Sequence, residues 1–172
     1  MNHLEGKVVV ITGASSGIGA VSAKALAARG ATIVAAARGQ EALDQLVTDI
    51  EKAGGTAGAR LTDVADAADA ADMQALADFT VDTYGRIDVL VNNAGLMLFS
   101  YWKDLTLQDW NRMIDVNIRG YLNGVHAVLP VMLRQKSPRP PRNSTPSPSA
   151  PRPSPTPSST PSTSQPTSTS TT

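Results

Sequence analysis

The apolar residues of this chain follow two alternating patterns as far as Lys136. Short continuous apolar runs that end in Gly or in polar residues are typical of strands buried on both faces, and they lie at 7–12, 32–37, 56–61 and 87–91. Longer segments carry apolar side chains at helical spacing, and they predict helices at 17–29, 43–53, 73–84 and 107–135. The order β-α-β-α-β-α-β-α predicts an α/β fold, a doubly wound parallel sheet of about four strands with right-handed crossovers.

The pattern ends abruptly at Ser137. From there to Thr172, 30 of the 36 residues are Pro, Ser or Thr, and Ala150 is the only aliphatic side chain. Such a segment cannot bury enough apolar area to offset its ordering entropy, so residues 137–172 are predicted to be a disordered low-complexity tail. The abruptness is typical of GC-rich coding DNA that is read out of frame; a genuine linker or stalk is the alternative.

Composition narrows the possible functions. The net charge of zero divides into 12 basic against 15 acidic side chains before Ser137 and three Arg after it, so no basic stripe indicates a nucleic-acid partner. No apolar run is long enough to predict a signal peptide or a membrane span. Cys is absent, which excludes disulfides and thiolate metal sites. A cytoplasmic protein without a metal centre or a membrane partner is expected.

The turn after the first strand predicts a nucleotide site. Residues Thr12 to Gly19 carry glycines spaced Gly-x-x-x-Gly-x-Gly. Glycine allows the backbone to approach a pyrophosphate, and the N–H groups at the start of the next helix face its negative charge. A simple tight turn is the alternative for this motif alone.

Three further motifs make the resemblance specific. The segment 12–19 resembles the cofactor motif of the short-chain dehydrogenase/reductase family. Asp63-Val64 resembles the pair that contacts adenine, Asn92-Asn93-Ala94-Gly95 resembles the Asn-Asn-Ala-Gly motif that lines the cofactor site, and Asn117 matches the Asn that holds a proton-relay water. The resemblance covers about residues 4–136 and implies a truncated Rossmann-like sheet, an incomplete dinucleotide-binding domain over 1–136.

Each motif also has an ordinary structural interpretation. Asp63 could cap a helix, Asn92 and Asn93 could end a strand, and a mid-helix Asn such as Asn117 usually points at solvent or bends the helix.

Cofactor choice follows from the end of the second strand. An NAD enzyme needs a carboxylate there for the ribose diol, but the sequence gives Ala35-Ala36-Ala37-Arg38 and no acid before Glu41. Arg38 is suited to a 2′-phosphate, with help from Ser15, so NADP is favoured over NAD; a solvated loop Arg is the alternative. The predicted cofactor-binding residues are Thr12, Gly13, Ser15, Ser16, Gly17, Ile18, Gly19, Arg38, Asp63, Val64, Asn92, Ala94 and Gly95.

The family's catalytic Ser and Tyr-x-x-x-Lys pair are missing. The residues four beyond Tyr84, Tyr101 and Tyr121 are Asp88, Leu105 and Val125. The resemblance therefore implies an NADP-dependent oxidoreductase of an alcohol or ketone that is inactive as given, with Asn117 the one catalytic residue present. Its homo-oligomer is doubtful here, because the last strand is expected to have an open edge and the long helix to lack neighbours.

Two further points stay open. The apolar segment from Leu96 to Trp102 hints at a hydrophobic substrate, and core packing is the alternative. The alternative to an enzyme by descent is a non-enzymatic nucleotide-binding or interaction protein whose Pro-rich tail binds partners.

Overall fold

The α/β fold is confirmed by a computed structural model, which describes residues 4–65, 70–99, 101–104 and 106–136. The strands and helices alternate along the chain. The strands are β1 (Val8–Thr12), β2 (Thr32–Ala37), β3 (Thr56–Leu61) and β4 (Val89–Val91). The helices are α1 (Gly17–Ala27), α2 (Gln40–Lys52), α3 (Ala71–Tyr84), α4 (Leu107–Ile114) and α5 (Gly120–Lys136). The prediction for residues 137–172 lies outside the described residues, so the domain boundary at 136 remains a prediction.

The four strands form one parallel sheet in the order β3-β2-β1-β4. Val9 of β1 pairs with Ile33 of β2 on one side and with Val89 of β4 on the other. The order reverses between β1 and β4, and in open α/β sheets ligands bind outside the carboxyl ends of the strands at such a reversal.

Alternate residues of β1 point into two different cores. Val8 and Val10 pack with α3 and α5, whereas Val9 and Ile11 pack with α1 and α2. Because both faces are covered, all five residues of β1 are buried, as the continuous apolar run predicted.

Strand β4 is shorter than the predicted 87–91 and is only partly covered. Among the described residues it pairs with β1 alone, and Val89 is 38% exposed. The expected open edge is therefore present in the described part of the chain.

The long helix predicted over 107–135 is continuous but is not α-helical throughout. Residues 115–119 form a π-helical segment between α4 and α5, and the backbone stays helical at both Asp115 and Gly120. Segments of this kind often lie at functional sites. None of the described helices combines the length and apolar character needed to cross a membrane.

Candidate functional site

The carboxyl ends of β1 and β4 are joined through Thr12. Its buried hydroxyl donates to the Val91 carbonyl oxygen at 3.4 Å and accepts from the backbone N–H groups of Asn93 and Ala94, both at 3.1 Å. One side chain thus fixes the start of the Gly-rich turn and the turn after β4 in a single arrangement.

Asn93 completes this connection from the other side. Its Nδ2 donates to the carbonyl oxygens of Thr12 at 3.0 Å and Gly13 at 3.1 Å. Among the described residues, Asn93 therefore bridges two turns that lie 80 positions apart. Asn93 is no simple strand end: its amide holds the Gly-rich turn in place.

Two glycines of the motif are required by close packing. A Cβ added to Gly13, whose φ is +65°, would lie 2.7 Å from the Ala94 Cα. A Cβ on Gly19 would lie 2.6 Å from the Asn93 Nδ2 atom. Gly13 is required by backbone contact between the two turns, and Gly19 by contact with the Gly13 carbonyl oxygen and the Asn93 side chain, so packing explains both glycines without a ligand.

The start of α1 is suited to an anion. Ser16 precedes the helix with an extended backbone and makes no side-chain cap hydrogen bond, and the first turn holds no acidic residue. The first N–H groups of this eleven-residue helix therefore lack a side-chain acceptor, and the positive end of the helix dipole favours an anion beside them.

The end of β2 presents an exposed cation. Arg38 and Gly39 follow the last buried strand residue, Ala37, and Gly39 is the residue before α2. Glu41 does not line the cavity described below.

Asp63 begins the loop after β3 and does not cap α3. Its carboxylate accepts from the Ala65 N–H at 3.0 Å, and its own N–H donates to Asp72 at 2.8 Å. Helix α3 begins at Ala71, after Ala70 in a left-handed conformation. The helix-cap interpretation of Asp63 was wrong, because the carboxylate is used in a turn eight residues earlier.

Asn117 lies within the π-helical segment and binds the loop after β4. Its Oδ1 accepts from the Leu96 N–H, and its Nδ2 donates to the Leu96 carbonyl oxygen, both at 2.8 Å. Both polar atoms of the side chain are hydrogen-bonded to the protein, contrary to the interpretation in which the side chain points at solvent.

One cavity of about 460 Å³ opens at the carboxyl edge of the sheet. Nine of the thirteen predicted cofactor-binding residues line it: Gly13, Ser15, Ser16, Ile18, Arg38, Asp63, Val64, Ala94 and Gly95. The structure adds Ala37, Gly39, Thr62, Asn93, Leu96 and Val116. Val116 is identified as a lining residue only by the fold, because no motif around it in the sequence indicates a binding site.

Four predicted residues lie off this cavity. Thr12 and Gly19 are buried in the turn-to-turn contact, and Gly17 begins α1 with φ +55° and open space around its Cβ position. Asn92 packs against Gly124 and donates weakly to the Tyr121 carbonyl oxygen at 3.4 Å. These four residues do not line the cavity and contribute to the packing around it.

A small cavity of about 30 Å³ lies behind the main one. Its lining includes Thr12, Asn92, Asn117 and Tyr121. Among the described residues, no group of three or more His, Cys, Asp or Glu could hold a metal ion.

The apolar loop after β4 is largely exposed. Met97 and Phe99 are more than four-fifths exposed, and Phe99 makes an edge contact with Tyr101 at 5.8 Å between ring centroids. Trp102 lies against Trp110 of α4 at 5.3 Å. Core packing is therefore the wrong interpretation for Met97, Phe99, Tyr101 and Trp102, which are all exposed. Leu96 and Leu98 of the same loop are half-buried.

Comparisons with known proteins agree with this site. Residues 7–139 match the family described as short chain dehydrogenase. The chain is 42% identical over 134 residues to an uncharacterized oxidoreductase of Listeria innocua. This match covers 78% of this chain and 53% of that protein. It is 39% identical over 135 residues to a 3-oxoacyl-(acyl-carrier-protein) reductase of Thermotoga maritima, with 78% and 54% covered.

Solved structures give the same result. A metagenomic short-chain oxidoreductase in complex with NADP is similar with a TM-score of 0.71 and 35% identity, over 77% of this chain and 59% of that one. A Burkholderia phymatum short chain dehydrogenase/reductase in complex with NAD gives a TM-score of 0.73 and 36% identity, over 78% and 47%.

This chain belongs to the short-chain dehydrogenase/reductase family, whose members are oxidoreductases acting on CH–OH groups. The predicted family and fold class are confirmed. The chain spans about half the length of the curated relatives it matches.

Proposed function

We propose that the described domain is the NADP-binding half of a short-chain dehydrogenase/reductase-type oxidoreductase. The observation that carries the proposal is the main cavity at the carboxyl edge of the sheet, where the Gly-rich turn, Arg38 and Asp63-Val64 come together. These elements come from the ends of three different strands, which is the arrangement expected of a dinucleotide site.

The residues present fit a dinucleotide. The pyrophosphate would be held by the N–H groups at the start of α1, where no side chain competes for them. The adenosine end would lie between Arg38 and Asp63-Val64, and the nicotinamide end near Ala94 and Gly95. When bound, the cofactor supplies hydride transfer, and the protein supplies position and electrostatics.

NADP is proposed rather than NAD because of the charges at the end of β2. The cavity lining contains Arg38 at that point, and Asp63 is its one carboxylate among the described residues. The Asp63 carboxylate already accepts a hydrogen bond from the Ala65 N–H. A 2′-phosphate would meet a guanidinium there, whereas a ribose diol would meet no carboxylate from β2.

The substrate of the intact catalytic unit is proposed to be a hydrophobic alcohol or ketone. The support is the exposed aromatic and aliphatic loop after β4, which begins at Leu96 on the wall of the cavity. An apolar surface beside a polar cofactor site is typical of a pocket that excludes water from the reacting carbon.

Asn117 is proposed to position a proton-relay water. The small cavity that Asn117 lines has a volume of about 30 Å³. This exceeds the roughly 10–15 Å³ that one water molecule requires. The amide oxygen and the amide nitrogen of Asn117 are both hydrogen-bonded to Leu96. The residue therefore also fixes the loop that carries the proposed substrate surface.

The chain as given is proposed to bind cofactor without turning substrate over. Its 172 residues contain no Tyr-x-x-x-Lys, so the family's general acid is missing. General acid–base catalysis typically contributes about 10²–10⁴ in rate, so turnover without that group is expected to be slower by about this factor.

The test is a titration of the full chain with NADPH and NADH. Trp102 and Trp110 provide the fluorescence signal, and calorimetry gives the dissociation constants. Arg38→Gln is expected to weaken NADPH binding by about 10- to 100-fold, since a hydrogen bond to a charged group contributes about 1.5–3 kcal/mol. NADH binding should change little, and Arg134→Gln is the matched control because this exposed Arg does not line the cavity.

The outcomes separate the alternatives. Binding without oxidation of a set of hydrophobic alcohols supports the proposal. Turnover would contradict the inactivity, preference for NADH would contradict the cofactor choice, and a folded chain that binds neither cofactor would contradict the function itself.

A further inference from the structure

A second cavity of about 440 Å³ adjoins the main one on the side of α4. The two cavities share Arg38, Asp63 and Val116. The remaining lining of the second cavity is Ala65, Gln108, Asn111, Arg112 and Asp115. None of the site residues predicted from the sequence lies in α4, so the structure adds this helix to the lining of the site.

Two guanidinium groups face this cavity without protein partners. The guanidinium groups of Arg38 and Arg112 take part in no hydrogen bond or ion pair with a described residue, whereas that of Arg86 pairs with Asp88 at 2.6 Å. The acidic groups of the cavity are already engaged. Asp115 accepts from Arg119 at 3.0 Å, and Asp63 accepts from the Ala65 N–H.

The charge of the expected ligand requires more than Arg38. A phosphomonoester carries about −1.5 to −2 charges near pH 7, and it offers three acceptor oxygens. One guanidinium neutralises only part of that charge. A second guanidinium on the adjoining wall, with the amide donors of Gln108 and Asn111 beside it, supplies the remainder.

We propose that Arg112 is a second specificity residue, which acts with Arg38 to bind the phosphate on the adenosine ribose. The inference rests on the proposed function, because it concerns the adenosine end of the same cofactor site. It assigns α4 a role in cofactor choice that the strand-end motifs do not reveal.

The experiment measures four ligands on the full chain: NADPH, NADH, 2′,5′-ADP and 5′-AMP. Arg112→Gln is expected to weaken NADPH and 2′,5′-ADP by about tenfold and to change NADH and 5′-AMP less than twofold. Arg112→Lys, which keeps the charge but loses the planar fork, should give an intermediate loss. Arg134→Gln is the control for the removal of one positive charge, and circular dichroism checks that each variant is folded.

The results distinguish the two proposals. If Arg38→Gln loses the preference for the phosphate-bearing ligands while Arg112→Gln keeps it, the role of Arg112 is overturned and the cofactor site stands. Equal weakening of all four ligands by Arg112→Gln also overturns it, because the effect is then structural. If the folded wild-type chain binds none of the ligands, the proposed function itself fails.

Discussion

Gln135 forms a two-point hydrogen bond with the backbone of Ile87. The Ile87 N–H donates to the Gln135 Oε1 at 2.8 Å, and the Gln135 Nε2 donates to the Ile87 carbonyl oxygen at 2.7 Å. Ile87 is fully buried just before β4, so its backbone polar groups have no access to water. The end of α5 is thereby attached to the sheet by a side chain that pairs as a neighbouring strand would.

Replacement of Gln135 should destabilise the domain. Gln135→Leu leaves two buried backbone groups without partners, which costs about 1–3 kcal/mol for each unsatisfied group. Urea unfolding should show a lower midpoint with an unchanged slope. Gln135→Glu keeps the acceptor and should cost less, and equal stability of all three proteins would show that the bond contributes nothing.

Replacement of Asn117 should release the loop after β4 more than it unfolds the domain. Asn117→Ala removes both bonds to Leu96. Hydrogen exchange at the Leu96 amide should accelerate by at least tenfold, and protease cleavage near Met97 and Phe99 should become faster. Asn111→Ala, on the exposed part of α4, is the control and should leave the loop protected.

Substitutions at Gly13 and Gly17 distinguish the cost of backbone strain from the cost of a steric clash. Both have positive φ, but only at Gly13 would a Cβ meet another backbone atom, the Ala94 Cα. Gly17→Ala should therefore cost about 1–2 kcal/mol from the left-handed conformation alone. Gly13→Ala should cost distinctly more, and thermal unfolding that ranks the two variants equally would contradict the close approach of the two turns.

Asp88 should make stability depend on pH in the acid range. Its burial would raise the pKa, but the hydrogen bonds from Arg86 and the Val8 N–H, together with the charges of Arg86 and Lys7, outweigh burial and hold the pKa below its usual value. Because the unfolded state then binds more protons, stability is present above about pH 4 and falls as the pH drops further.

Asp88→Asn tests this dependence. The variant should be less stable than wild type at pH 7, and its stability should fall less steeply between about pH 4 and pH 2. Asp82→Asn is the control, because Asp82 is exposed and its side chain makes no hydrogen bond or ion pair with a described residue. Parallel curves for Asp88→Asn and wild type would show that Asp88 does not contribute to the acid sensitivity.

The exposed face of the long helix should cause self-association. Its large apolar side chains follow helical spacing and are about half exposed: Ile114, Ile118, Tyr121, Leu122, Leu129 and Leu133. An apolar patch of this kind is a site of association or aggregation. Ile118→Lys with Leu122→Lys should lower the light scattering of concentrated protein, whereas scattering as high as that of wild type would place the association elsewhere.

Periodicity was sufficient to predict the sheet and most of the helices. The run Val8–Ile11 could only be a strand buried on both faces. The predicted end of the third helix at residue 84 agrees with the end of α3 at Tyr84.

The rest depended on contacts between distant segments. Nothing near Asn117 in the sequence shows that Leu96 will bind it, so neither the π-helical segment nor the two-point bond was predictable. Asn93 was known only as part of a motif, and its role in holding Gly13 required both turns to be in place. Arg112 lies four residues before Val116 on a helix with no motif, and only the fold brings it to the same cavity as Arg38.

The strand order also has a consequence for synthesis on the ribosome. Strand β1 is made first, but its two neighbours arrive at very different times, because Val9 pairs with Ile33 on one side and with Val89 on the other. At roughly 5–20 residues per second, the second edge of β1 waits about 4–16 s for its partner. During that interval the nascent chain carries an apolar strand with one open side, so binding by a chaperone is expected to be most important before Val91 has emerged.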